Sequence, residues 1–236
     1  MRILERPSPN HDARLADGVV DMLILHYTGM ESAAAALDRL CSTEAKVSAH
    51  YLIDEDGTVW RLVAEERRAW HAGVSSWRGR SDINSASIGI ELVNPGHEFG
   101  YRPFPEPQMA ALEALGRDIL PRHPILPWHV LGHSDVAPQR KTDPGELFDW
   151  PRLARAAIGL WPDFTLLPPP AATIAELQEQ LAAIGYETPR TGVADAATAQ
   201  VIAAFQRHFR PSCCDGKADR ETRQRIAALA AATPTG

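Results

Sequence analysis

The segment VVDMLILHYTG, residues 19–29, restricts the possible folds of this chain more than any other stretch. Six of the seven residues from Val19 to Leu25 are apolar. A strand without polar alternation has no face to give to water, so it belongs inside a sheet covered on both sides. Tyr27-Thr28-Gly29 then ends it in a turn. ESAAAALDRLC (31–41) follows with helical composition, and SAHYLIDEDGTVWRLV (48–63) reads as a hairpin around Asp56-Gly57. SIGIELVN (87–94) is a second short buried strand. PEPQMAALEALGRDIL (105–120) places Met109, Leu112, Leu115 and Ile119 at helical spacing behind its prolines. WHVLGH (128–133) predicts a last strand and WPRLARAAIGLW (150–161) a closing helix. Strands alternating with helices predict an α/β domain, a central mixed β-sheet flanked by helices.

WPDFTLLPPPAAT (161–173) breaks that pattern. Three consecutive prolines cannot continue a helix and favour stiff, extended backbone. We therefore expect a catalytic domain over 1–163, a Pro-rich linker over 164–171 and a small all-α, three-helix domain over 172–236. Thr173 and Glu176 form a capping-box pattern that opens a helix with Leu177, Leu181 and Ile184 on one face. Asp195 and Asp219 open two more helices, over about 196–209 and 220–230, each with a carboxylate that can cap free N–H groups.

The chain has 236 residues and a formal net charge of −6, which argues against a nucleic-acid partner, since such surfaces are usually basic. No apolar run approaches the roughly 20 residues of a membrane span. The polar, proline-bearing start lacks the apolar segment of a signal peptide. The expected location is thus the cytoplasm, with the periplasm or outer membrane as the alternative if a targeting segment precedes this sequence. Cys41, Cys213 and Cys214 are an odd set, and adjacent cysteines rarely bridge, because the eight-membered ring is strained. Free thiols suit a reducing compartment.

Three residues could ligate zinc: His26, His133 and Asp143. His26 closes the first buried strand, His133 closes the last one, and Asp143 sits in the loop after it, stiffened by Pro144. Two imidazoles and a carboxylate leave the fourth tetrahedral position open for water, as a hydrolytic site requires. Spacing alone leaves the ordinary alternative standing, that each is a hydrogen-bonded or surface residue. Glu91 interrupts an apolar strand. Either the face it shares with Gly89 and Val93 is wet, or it is a general base beside the metal. Lys141 is either a solvent-facing loop lysine or an oxyanion stabiliser.

LHYTG, SAHYLIDEDGTVWRLV, AWHAGVSSW, SIGIELVN and GHSDVAPQRKTDPG occur in that order. Together they resemble the zinc-dependent N-acetylmuramoyl-L-alanine amidases, in the branch of bacterial muropeptide-recycling enzymes, over about residues 15–160. The resemblance implies one zinc ion on His26, His133 and Asp143, Glu91 as acid/base and Lys141 at the oxyanion. Relatives of another branch carry cysteine as third ligand and a tyrosine before the hairpin histidine. Asp143 and Ala49 stand there in this chain. LQEQLAAIGY, TGVADAATAQVIAAFQRHF and DGKADRETRQRI resemble the three-helix peptidoglycan-binding modules, with Pro211-Ser-Cys-Cys214 as a departure.

The resemblance also implies the substrate: peptidoglycan fragments or muropeptides, cut at the amide between the lactyl group of N-acetylmuramic acid and L-alanine. Trp70, His71, Ala72 and Gly73 would line the cleft, with Trp70 against a sugar face or, equally, in the core. Asn94 would hold the peptide stem or simply make a turn before Pro95. His50 would support the site or serve core hydrogen bonding. The chain is expected to be a monomer. A binding protein that holds muropeptide without cutting it is the alternative. A glycan-cleaving enzyme would need a carboxylate partner for Glu91, and none is apparent.

Overall fold

The computed structural model describes residues 2–15 and 18–234; Met1, Ala16, Asp17, Thr235 and Gly236, which fall within the two expected domain spans, lie outside the described residues. The described residues form eight strands, β1 (Ile3–Glu5), β2 (His11–Ala13), β3 (Met22–Tyr27), β4 (Tyr51–Ile53), β5 (Val59–Arg61), β6 (Arg67–Ala69), β7 (Ser87–Leu92) and β8 (Val130–Gly132). Six form one sheet in the order β1-β5-β4-β7-β3-β8, and β2 pairs with β6 apart from it. The central strands β4, β7, β3 and β8 run parallel, whereas β4 and β5 pair antiparallel as the hairpin predicted around Asp56-Gly57. The sheet is therefore mixed, as expected.

Among the described residues nine α-helices accompany it: α1 (Ala33–Leu40), α2 (Ile83–Ala86), α3 (Gly96–Phe99), α4 (Glu106–Ile119), α5 (His133–Val136), α6 (Trp150–Arg155), α7 (Ile174–Ile184), α8 (Ala196–Phe209) and α9 (Arg220–Ala232). The expected closing helix over 150–161 stops at Arg155. Ala157 and Gly159 both take positive φ, 61° and 83°, which turns the backbone out of the helical path. Strands β1, β2 and β6 were not anticipated; each has three residues and no apolar run. The tail helices start where their caps predicted. Thr173 accepts from the Glu176 N–H in a full capping box, and Asp195 and Asp219 accept from Thr198 and Thr222.

The two-residue period of the strands sorts the core. On β3, Leu23 and Leu25 join Ile88, Ile90, Leu92 and the buried face of α4 on one side of the sheet. Met22 and Ile24 point the other way and share a second cluster with Trp77, Leu131 and the tail residues Leu181, Ile184, Tyr186, Phe205 and Phe209. The C-terminal helices thus close one face of the sheet, next to β3 and β8. Helix α1 covers the same face further along, over Leu52, Leu62 and Val93. Each such side chain, fully buried, contributes roughly 1.5–3 kcal/mol. Among the described residues, no helix is long and apolar enough to cross a membrane.

Candidate metal centre

The site lies where ligands lie in parallel sheets, at the carboxyl ends of the strands. His26 is the fifth residue of β3, and His133 directly follows β8, its neighbour in the sheet. Asp143 comes from the loop after α5, held back against that helix by the Ser134 N–H, which donates to the Asp143 carbonyl at 2.9 Å. All three side chains are buried. His26 Nδ1, His133 Nδ1 and Asp143 Oδ2 lie 3.0 Å from one another in all three pairings.

The outer nitrogens show what these inner atoms are. His133 Nε2 donates to the Ala72 carbonyl at 3.1 Å, so its Nδ1 carries a lone pair. His26 Nε2 meets His71 Nδ1 at 3.0 Å, His71 Nε2 meets Ser87 Oγ at 3.2 Å, and the Ser87 hydroxyl donates to the Ile83 carbonyl at 2.6 Å. The consistent proton order along that chain runs from the centre outward, and it leaves a lone pair on His26 Nδ1 too. Burial holds His26 down to about 4, with His133 adding to the effect, and it holds His71 well below its ordinary value.

Three acceptors therefore converge with no donor between them. Ligands about 2.0–2.1 Å from zinc at tetrahedral angles stand about 3.3 Å apart, close to the observed spacing. Two neutral imidazoles and one carboxylate are also a donor set zinc accepts, each imidazole oriented by an acceptor on its far nitrogen. The residues present fit the ion.

Glu91 pairs with His26 in the parallel register of β3 and β7, so both side chains leave the same face of the sheet on adjacent strands. Its Oε2 is buried without a hydrogen-bond partner among the described residues. Burial raises its pKa well above the ordinary glutamate value, Asp143 raises it further, and Lys141 opposes both. Glu91, Lys141, Trp70 and the three acceptors line one open cleft of about 660 Å³. The Trp70 indole N–H donates to Asp12 Oδ1 at 2.6 Å, which fixes the ring at the rim.

Of the other expected substrate contacts, His71 also lines this cleft, whereas His50, Ala72, Gly73 and Asn94 do not. His50 is fully buried; its Nδ1 accepts from the Gly89 N–H and its Nε2 lies 3.1 Å from the Arg67 carbonyl. Burial, then Arg14, hold it down to about 3. Asn94 is equally buried and closes the 94–102 loop, donating to the Arg102 carbonyl and accepting from the Gly96 N–H. Ala72 offers its carbonyl to His133, and Gly73, at φ +58°, lies beneath Arg140, which donates to the carbonyls of Ala72 and Val74. His71 stands behind His26. The polar atoms of His50, His71 and Asn94 are thus engaged by other groups of the protein.

Sequence reading missed Ser87 and Arg140, which carried no spacing signal. Gly89 did carry one. It sits in the strand beside Glu91, and a Cβ there would lie 2.5 Å from the His71 ring. Gly89→Ala should therefore displace His71, lower stability by about 1–3 kcal/mol and weaken metal uptake. Chemical denaturation and zinc titration check both effects.

Comparison with known proteins agrees with this geometry. The family described as N-acetylmuramoyl-L-alanine amidase matches residues 16–146, and a putative peptidoglycan binding domain matches residues 171–226. The N-acetylmuramoyl-L-alanine amidase AmiD of Escherichia coli is 40% identical, over 89% of this chain and 82% of its own length. The 1,6-anhydro-N-acetylmuramyl-L-alanine amidase AmpD of Enterobacter cloacae is 36% identical, over 62% of this chain and 85% of its own. The solved complex of Escherichia coli AmiD with anhydro-N-acetylmuramic acid-L-Ala-D-gamma-Glu-L-Lys superposes with a TM-score of 0.82 at 37% identity, covering 94% of each chain. AmpDh3 of Pseudomonas aeruginosa with anhydromuramic pentapeptide gives 0.79 at 39%, covering 89% of this chain and 91% of that one.

Proposed function

The chain belongs to the N-acetylmuramoyl-L-alanine amidase family and is such an amidase, and from that premise we propose that it cuts anhydromuropeptides with one zinc ion on His26, His133 and Asp143. The observation that carries the metal is the convergence of three lone-pair atoms at 3.0 Å, each imidazole turned inward by an acceptor on its far side. Support for the anhydro substrate comes from the two relatives solved with such ligands. We read residues 1–163 as the catalytic unit, 164–171 as the linker and 172–236 as the three-helix unit.

Held by His26, His133 and Asp143, zinc would supply a Lewis acid and would bring the pKa of water toward neutrality. The protein's own groups do the rest. Glu91 takes the proton of the water that attacks the lactyl carbonyl. Glu91 leaves the sheet on the same face as His26 and its Oε2 has no hydrogen-bond partner among the described residues, so it is free to take that proton. Lys141 donates to the oxyanion as the carbonyl becomes tetrahedral. Glu91 then returns the proton to the alanine nitrogen, because an amine leaves only once protonated. Trp70 holds the sugar at the rim of the cleft. The products are anhydromuramic sugar acid and a peptide with a free L-alanine amine.

The test is mass spectrometry of products from a soluble anhydromuropeptide, before and after chelation. The untreated protein should release peptide beginning at L-alanine, the chelated protein none, and added zinc should restore release. Full turnover after complete metal removal would overturn the reading.

A further inference from the structure

We propose that the C-terminal helices position the metal ligands His133 and Asp143, through a clamp of Tyr186 and His208 on Asp135. The inference rests on the metal reading above. Helix α5 is a single turn, and three consecutive residues of it face three ways. His133 enters the site, Ser134 donates its N–H to the Asp143 carbonyl, and Asp135 points into the sheet-facing side of the C-terminal unit. One turn of helix has little stability of its own. Whatever fixes Asp135 therefore fixes both ligands.

Asp135 is fully buried, and its carboxylate accepts three hydrogen bonds. One is local, from the Gly132 N–H at 2.7 Å. The other two come from the tail: the Tyr186 hydroxyl at 2.6 Å on Oδ1 and His208 Nδ1 at 2.7 Å on Oδ2. Both donors are themselves rigidly held. Tyr186 is buried edge-on against Trp77. The His208 ring lies between Trp150 and Phe209, with centroids at 3.7 and 3.9 Å and planes tilted by 17° and 2°. Its Nε2 has no partner among the described residues, so the bond to Asp135 is its polar contact. A carboxylate buried this far needs its donors, and two of three arrive from another part of the chain.

An ordinary packing contact between two units would affect folding stability alone. A clamp also affects the metal: a direct partner of a ligand typically sets about 10–100-fold in affinity, and Tyr186 and His208, which act through Asp135 and helix α5, are expected to set less than that. Three variants of the full chain separate the two. His208→Leu keeps apolar bulk between the rings but removes the donor. His208→Asn keeps an N–H donor near the Nδ1 position. Tyr186→Phe removes one oxygen atom. Zinc affinity is read by competition with a chromophoric chelator, alongside thermal unfolding and the split between kcat and KM.

We expect His208→Leu and Tyr186→Phe to bind zinc several-fold more weakly, short of the roughly 10–100-fold set by a direct partner of a ligand, and His208→Asn to stay close to wild type. Tyr186→Phe decides alone if His208→Leu does not fold. Wild-type zinc affinity in the donor-less variants, even with a lowered melting temperature, overturns the clamp. So does equal weakening in His208→Leu and His208→Asn. A wild-type chain that takes up no zinc would instead overturn the metal reading and the clamp with it.

Discussion

Glu91→Gln should lower kcat by about 10²–10⁴-fold, the usual worth of a positioned acid/base, while zinc content stays at the wild-type level. Glutamine has the shape of glutamate but neither takes a proton from water nor delivers one to the departing nitrogen, so both half-reactions slow. The substitution leaves His26, His133 and Asp143 untouched, which separates loss of chemistry from loss of metal. It should not destabilise the protein. Glu91 Oε2 is buried without a partner, and its raised pKa means that ionising it in place is unfavourable. A neutral amide removes that burden, so the melting temperature should hold or rise. The measurements are peptide release by chromatography, elemental analysis and a thermal melt. Wild-type turnover in this variant would refute the role given to Glu91.

His26→Ala should remove the metal and, with it, nearly all activity. A Lewis acid on a reacting carbonyl is worth several kcal/mol, so the loss is expected to be about 10³-fold or more. Two acceptors remain, His133 and Asp143, and they hold zinc far less firmly than three. The variant also leaves His71 Nδ1 facing an empty space, since that nitrogen takes its hydrogen bond from His26. Zinc per chain after dialysis, by elemental analysis, is the deciding measurement, with circular dichroism to establish that the fold persists. Stoichiometric zinc in the dialysed variant would count against the assignment.

The three converging acceptors were legible in the sequence because each stands where a recognisable element stops: His26 at the end of an apolar run, His133 after a short strand, Asp143 before a proline. The helices of the tail were legible for a similar reason, since Thr173, Asp195 and Asp219 are local caps whose partners lie three residues away. The supporting residues were not legible. His50 bonds to backbone atoms of Gly89 and Arg67, and Asn94 to Arg102 and Gly96. No spacing rule distinguishes such residues from substrate contacts, because their partners are main-chain atoms that any residue supplies. The short strands β1, β2 and β6 were hidden for another reason. Their pairing is set by neighbours in space, and three residues are too few to show a period.

The shared core between the C-terminal helices and the sheet has an evolutionary consequence. A cell-wall module joined by a loose tether can be shuffled between enzymes as a cassette. Here Met22, Ile24 and Leu131 supply one side of the cluster and Ile184, Phe205 and Phe209 the other, so recombination at the prolines would split a matched pair. Inheritance should keep the two halves together, and substitutions in one should be answered by substitutions in the other.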